Sequence, residues 1–376
     1  IGSDLARKNI SHLQEVAEFS HKFQQENTHT AMLSSGDIAI VVVTASSNAF
    51  RALRTTPKRT QLRRHAAAVG KYGQHGAEVT GKVAFQGEHG AYSEEAVFQH
   101  FGDAVATLPC QSFEDLFAAV ESGEAAYGML PMENSQAGSI NKAYDLLMDF
   151  DLRVHGETIL RVQHALMALP REDGEANPLK VRSHPQALAQ CENFLKSNGL
   201  AAQAGADTAG SAKEIADGNL RDVAAICSRL AATRYGLKIL QLGIEDNKFN
   251  FTRFWVLAKG DAATPTTPKT SVVFAVSDKP GSLVAALEEF GRRNVNLVKL
   301  ESRPRRRTAM PGFNYIFYLD FLGHHADDAC RDALLGLLSS CAFVKLLGSY
   351  DAAPPLAEQL ADEAEGPVND PTLMQI

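Results

Sequence analysis

Strand and helix signals alternate from Lys82 to Leu257, which predicts an α/β domain. From Thr270 to Tyr350 the order becomes strand, helix, strand, strand, helix, strand, the pattern of a ferredoxin-like βαββαβ unit. A Pro/Thr stretch with little to bury, KGDAATPTTPK at 259–269, separates the two.

In the first part, KVAFQG (82–87) reads as a strand ended by glycine, and SEEAVFQHF (93–101) as a helix capped by Ser93 with acids in its first turn. SFEDLFAAVESG (112–123) carries an S-x-x-D capping box, an apolar stripe through Phe113, Leu116, Phe117 and Val120, and Gly123 as terminator. AYGMLP (126–131) reads as a strand, INKAYDLLMDF (140–150) as a helix and TILRVQHALMAL (158–169) as one strand. KVRS (180–183) is a brief strand, and HPQALAQCENFLKSNG (184–199) a helix with Pro185 in its first turn and Gly199 past its end. DTAGSAKEIADG (207–218) is a helix capped by Asp207 or Thr208, and VAAIC (223–227) a strand. SRLAATRYG (228–236) is a helix capped by Ser228, and LKILQLGI (237–244) a strand. In the second unit TSVVFAVS (270–277), VNLVKLESRP (295–304), FNYIFYLDFLG (313–323) and FVKLLGSY (343–350) are strands, with PGSLVAALEEFGRRN (280–294) and DDACRDALLGLLSS (327–340) as helices.

A chain of 376 residues, 45% hydrophobic and 22% charged, has room for two or three domains with proper cores. Its net charge of −7 argues against nucleic acid, whose binding is driven by phosphate neutralisation. The five cysteines form no CxxC pair and read as packed, reduced thiols. No metal-ligand motif appears, and the longest early apolar run, IAIVVVTA at 38–45, is too short to span a bilayer. From Ile38 to Ala77 there is no Asp or Glu, while Arg, Lys, Ala, Ser and Thr accumulate. That is the composition of an organelle transit peptide, or of a basic linker, and Met32 just before it reads as the true start. The tail from Ala352 onward is acidic and Pro-containing, the composition of a disordered segment.

Four strand-to-helix junctions (87–93, 133–140, 183–185 and 227–228) present orphan backbone N–H groups that suit an anionic ligand. NFTRFWVL (250–257) adds a hydroxyl and a permanent cation to an otherwise buried strand. A guanidinium is costly to bury unpaired, so Arg253 has to reach water, a protein anion or a bound anion. Each motif alone has a plain structural explanation as a cap or an edge; their convergence in one domain is the mark of a small-molecule site.

FQGEHGAYSEEA, PMENSQAGSINKAYDLL, SHPQALAQC, DTAGSA, AAIC with Ser228, and NFTRFWVLA, followed by PGSLV and ESRP, resemble a prephenate/arogenate dehydratase with a C-terminal ACT domain. The likeness runs in order from about Lys82 to Tyr350, and departs from the family pattern at Ala137, where a glycine is usual. It implies a bilobed catalytic domain of periplasmic-binding-protein type, one lobe roughly 82–157 plus 248–259 and the other roughly 158–247. The implied divisions are an N-terminal extension 1–80, a catalytic domain 81–259, a linker 260–269, an ACT regulatory domain 270–351 and a tail 352–376.

The implied reaction expels carbon dioxide and water from arogenate or prephenate, and aromatisation drives it without cofactor or metal. The resemblance assigns Thr252 as donor to the departing hydroxyl, Arg253 beside it as the cation facing the substrate, and Phe254 as an apolar wall. It places Ser93, Glu133, Asn134, Ser135, Gly138, Gln186, Thr208 and Ser228 around the substrate. Gly281, Ser282, Leu283 and Val284 with Glu301, Ser302, Arg303 and Pro304 would form a phenylalanine site at an interface between ACT domains of a homo-oligomer, dimer or tetramer. The long INKAYDLL and LPREDG…ENFL stretches look more like the plant and algal arogenate branch, and the acid-poor leader fits a plastid. A strict prephenate dehydratase, or a non-catalytic bilobed amino-acid sensor, would share many of these features.

Overall fold

The computed structural model describes residues 34–35, 38–39, 81–171, 178–304 and 315–356. The readings of the leader and of Met32, and that of the tail beyond 356, fall almost wholly outside these residues. A short antiparallel pair, β1 (Ser34–Ser35) and β2 (Ile38–Ala39), precedes the main body.

The first lobe is built on β3 (Lys82–Gln86), β4 (Ala106–Cys110), β5 (Tyr127–Asn134), β6 (Gly138–Ser139), β7 (Arg153–Arg161) and β13 (Phe251–Ala258). Helices α1 (Tyr92–Phe101), α2 (Phe113–Ser122) and α3 (Asn141–Asp149) cover it. The second lobe is a five-stranded sheet in the order β10-β9-β11-β8-β12, made from β8 (Ala165–Ala168), β9 (Lys180–Ser183), β10 (Ala201–Ala204), β11 (Val223–Cys227) and β12 (Lys238–Leu242). Its helices are α4 (Pro185–Gln190), α5 (Glu192–Ser197), α6 (Thr208–Asp217) and α7 (Arg229–Tyr235). The chain crosses between lobes twice, after β7 and before β13, which is the two-lobed arrangement expected. The crossing lies later than 158, because residues 158–161 stay in β7 of the first sheet and the predicted single strand 158–169 breaks at Val162–His164.

Local signals explain most boundaries. Ser112 and Asp115 form the capping box of α2, Gly123 closes it in the left-handed region at φ 83°, and Asp207 and Ser228 cap α6 and α7. Ser93 does not cap α1: the helix starts at Tyr92 with Ala91 as N-cap, and Ser93 is buried in its first turn. The predicted helix 184–199 is two helices, with Cys191 at φ −119° between them.

The C-terminal unit is β14 (Pro268–Ala275), α8 (Ser282–Gly291), β15 (Leu297–Pro304), β16 (Tyr315–Leu322), α9 (Asp328–Ser340) and β17 (Phe343–Asp351), the predicted βαββαβ order. Its antiparallel sheet runs β15-β16-β14-β17 and continues through one β17–β7 pair, Asp351–Gly156, into the first lobe. One sheet face packs on α8 and α9 through Phe274, Phe290, Leu319 and Phe321. The other shares a core with the first lobe, where Tyr318, Leu347 and Tyr350 meet Tyr144, Trp255 and Leu257. The preceding segment is tied down, since Asp351 Oδ1 accepts the backbone N–H groups of Thr266 and Thr267 at 2.6 and 2.7 Å.

Candidate active site

Successive residues of a strand point to opposite faces, and β13 uses both. Phe254 and Val256 lie in the core shared by the two lobes, whereas Trp255 and Leu257 lie in the core shared with the C-terminal unit. Thr252 follows the first set and Arg253 the second. The expectation that both project into one site is therefore corrected: chain neighbours at the strand period cannot share a face.

Thr252 pairs across the sheet with Asn134 of β5. Asn134 Nδ2 donates to Thr252 Oγ1 at 3.0 Å and to Asn250 Oδ1 at 2.8 Å. Asn134 Oδ1 accepts the N–H groups of Gln136 and Ala137 at 3.0 and 2.9 Å, an Asx turn that shapes the ENSQAG loop and fixes which end of the amide faces Thr252. Thr252 Oγ1 accepts this bond, and among the described residues its own hydrogen is committed to no acceptor.

The network extends into the second lobe. Asn250 Nδ2 donates to Gln190 Oε1 at 3.1 Å, and His164 Nε2 reaches the same oxygen at 2.9 Å. A carboxamide oxygen only accepts, which makes Nε2 the protonated nitrogen and leaves Nδ1 to accept from Tyr92 Oη at 2.7 Å. Burial holds His164 below the ordinary imidazole range, opposed by its bond to Gln190, so the neutral ring this chain requires is favoured. Asn250, Gln190 and His164 were not singled out from sequence. They lie on a strand start, a helix end and a lobe crossing, and no local motif links them.

Arg253 is buried among anions. Nε donates to Glu157 at 2.6 Å, one terminal nitrogen to Glu133 at 3.1 Å, and the other to Asp320 at 2.8 Å and Tyr350 Oη at 3.3 Å. Burial works against the cation, but Asp320, then Tyr350 and Glu157, hold it above its ordinary value. Of the three partners left open by the sequence, a set of protein anions is the one found. Glu133 is committed likewise: it pairs with Lys299 as well as Arg253, and these outweigh burial to hold its carboxyl low. It faces the C-terminal unit and not the Thr252 face.

The remaining expected residues divide. Ser135 Oγ donates to Phe249 O and accepts from Phe251 N, beside exposed Gly138 in the same loop. Ser93 is buried in α1, Thr208 is half-buried at the start of α6, and Gln186 is exposed on α4. Phe254 is 1% exposed and packs as core, which corrects its reading as a wall. Ser228 is corrected as well. It is fully buried, caps α7 through Ala231 N and donates to Gly90 O at 2.6 Å, so it fastens the lobes together and has no hydrogen to offer a ligand. Beside it, Glu94 accepts from Gly90 N at 2.6 Å and from Arg234 of the other lobe at 3.0 Å. These bonds outweigh burial and keep its carboxyl below the usual range.

In the C-terminal unit the ESRP residues alternate. Glu301 accepts from Ser139 Oγ at 2.9 Å and Arg303 bonds Asn141, both toward the first lobe. Ser302 and Pro304 are exposed and pair with Phe317 and Tyr315 of β16. Within one chain, Glu301 and Arg303 thus belong to the inter-unit contact, whereas Ser302 and Pro304 stand exposed. Gly281 starts α8 at φ 83°, with Ser282 and Leu283 half-buried and Val284 60% exposed. Among the described residues no group of three or more His, Cys, Asp or Glu side chains is placed to hold a metal ion.

A family model described as prephenate dehydratase matches residues 83–262. The chain is 43% identical over 277 residues to arogenate dehydratase/prephenate dehydratase 2, chloroplastic, of Arabidopsis thaliana, covering 72% of each chain. Among solved structures it is similar to the prephenate dehydratase of Arthrobacter aurescens in complex with L-Phe, with TM-score 0.64, 29% identity and coverage of 76% of this chain and 97% of that one. It is also similar to GqqA, described as a novel type of quorum-quenching acylase, with TM-score 0.65, 33% identity and coverage of 73% and 99%. On these likenesses the chain belongs to the prephenate/arogenate dehydratase family, carbon–oxygen lyases of phenylalanine biosynthesis.

Proposed function

We propose that the protein converts arogenate to phenylalanine, with prephenate as the second substrate, and that Thr252 assists departure of the ring hydroxyl. The supporting observation is the hydrogen bonding of Thr252: Asn134 Nδ2 donates to Oγ1 at 3.0 Å and leaves the hydroxyl's own hydrogen free to donate to a ligand. In the reaction the bond from ring to carboxylate breaks and carbon dioxide leaves. Its electron pair enters the ring, the opposite carbon–oxygen bond breaks, and hydroxide departs to become water with a proton from solvent. A hydrogen bond to that oxygen strengthens as negative charge develops, which is selective stabilisation of the transition state. The neutral Tyr92–His164–Gln190–Asn250–Asn134 chain orients this donor and needs no change of protonation.

Catalysis belongs to residues 81–259, and the unit from Pro268, where β14 begins, to residue 351 acts as an ACT regulatory domain. Val284 on α8 and Val298 and Leu300 on β15 stand 60, 46 and 44% exposed, apolar side chains suited to an aromatic ring or to a second copy of the unit. The acid-poor leader and the chloroplastic relatives support a plastid location.

The test is turnover of both substrates by the full chain and by Thr252→Ala. The substitution should lower kcat by about two to four decades, roughly 3–5 kcal/mol of transition-state stabilisation, with folding intact. Near-parental turnover in a folded Thr252→Ala protein would refute the assignment, and a strong preference for prephenate would refute the order of substrates.

A further inference from the structure

We propose that the C-terminal unit positions Thr252 by holding Arg253, with Asp320, Tyr350 and Lys299 as the positioning residues. The inference rests on the reading of Thr252 as the donor. Two adjacent rungs of one ladder carry it: Thr252 pairs with Asn134 and Arg253 with Glu133, and a bulge at Met132 follows at once. The first rung presents its side chains to the lobe junction and the second to the C-terminal unit.

Each carboxylate that grips Arg253 is also gripped by the C-terminal unit. Glu133 receives Lys299, and Glu157 receives Lys269 Nζ at 2.7 Å and Ala353 N at 3.1 Å. Asp320 sits on the unit itself, its second oxygen accepting from Ser271 Oγ at 2.5 Å, and Ser271 also bonds Tyr350 Oη at 2.7 Å. Three carboxylates thus face three cations in a charge-balanced cluster, with Arg253, Glu157 and Asp320 buried at its centre and Glu133, Lys269 and Lys299 half-buried. Such a cluster tolerates little displacement, because any lost contact leaves a buried charge unpaired. A movement of the C-terminal unit accordingly moves Arg253, and one peptide away the Thr252 hydroxyl shifts against Asn134. An error of this kind is felt in turnover, since a misplacement of about 1 Å can cost about a hundredfold.

The experiment compares kcat, KM and thermal midpoint of the full chain with Asp320→Asn, Tyr350→Phe, Tyr318→Phe and Thr252→Ala. Tyr318 Oη donates to Tyr144 O at 2.6 Å in the same interface without touching Arg253, so Tyr318→Phe controls for loosening alone. Expected are a fall in kcat of about tenfold or more in Asp320→Asn and about threefold in Tyr350→Phe, with KM within about twofold, and kcat within about twofold of the parent in Tyr318→Phe. If Asp320→Asn fails to fold, Tyr350→Phe, which keeps the ring, decides. Parental kcat in Tyr350→Phe alongside an inactive Thr252→Ala overturns the inference and leaves the Thr252 reading standing. An equal loss in Tyr318→Phe overturns it too. An active Thr252→Ala removes the parent reading instead.

Discussion

Ser228 Oγ donates to the carbonyl oxygen of Gly90 at 2.6 Å, joining a helix cap of one lobe to the strand-to-helix turn of the other. The approach is tight enough to exclude a side chain: a Cβ on Gly90, at φ 88°, would lie 2.7 Å from Cα of Ala231. Tyr235 Oη adds a bond to His89 O at 2.6 Å. The lobes are therefore fastened at this point, and relative motion has to be accommodated elsewhere.

Removing the clasp should cost stability. Ser228→Ala leaves Gly90 O with only the weak Cys227 thiol donor at 3.8 Å and α7 without its cap, a loss of about 1–3 kcal/mol. Chemical denaturation should show a lower midpoint at unchanged slope. An unchanged midpoint would mean that water replaces the hydroxyl.

Asn134→Ala should act on turnover. The variant keeps Thr252 but deletes the donor that fixes its oxygen, and kcat should fall about 10- to 100-fold with a smaller change in KM. Steady-state kinetics on a folded variant checks this; a purely KM effect would make Asn134 a binding group only.

Arg253→Lys tests the correction made by the structure. A residue facing substrate would show its loss in KM, whereas a residue bridging Glu133, Glu157 and Asp320 should show it in kcat and the thermal midpoint with KM little changed, because an ammonium cannot span three carboxylates. A raised KM with an unmoved midpoint would restore the original expectation.

The pH dependence of stability follows from His164. Its folded pKa is lowered, chiefly by burial, so between that value and the unfolded value of about 6.5 the unfolded chain binds the extra proton and stability falls as pH falls. Burial pushes Glu95 up to about 7, which acts in the opposite sense, so the difference between parent and His164→Gln isolates the histidine. Denaturation between about pH 7.5 and 5.5 should show less acid-side loss in His164→Gln than in the parent.

What the sequence disclosed, and what it withheld, follows from range. Ser112, Gly123, Asp207 and Ser228 act on their own helices and were legible as caps, as was the βαββαβ order of the second unit. The interruption of an apolar strand by Thr252 and Arg253 was legible too. Which way each points was not, because the partners Glu133, Glu157 and Asp320 lie on three separate elements. The missed strands, ATLPC at 106–110 and AAQA at 201–204, are edge strands. One holds a proline and the other has no β-branched or aromatic residue, so neither carries the usual strand signature.

The shared core beneath β13 bears on whether the catalytic half can stand without the C-terminal unit. Amputating the chain ahead of β14 would strip the cover from Trp255 and Tyr144 and leave Arg253 without Asp320, so such truncates should precipitate. The role of the C-terminal unit is better probed by single replacements at Val284, Val298 or Leu300, whose side chains stand exposed and leave that shared core intact.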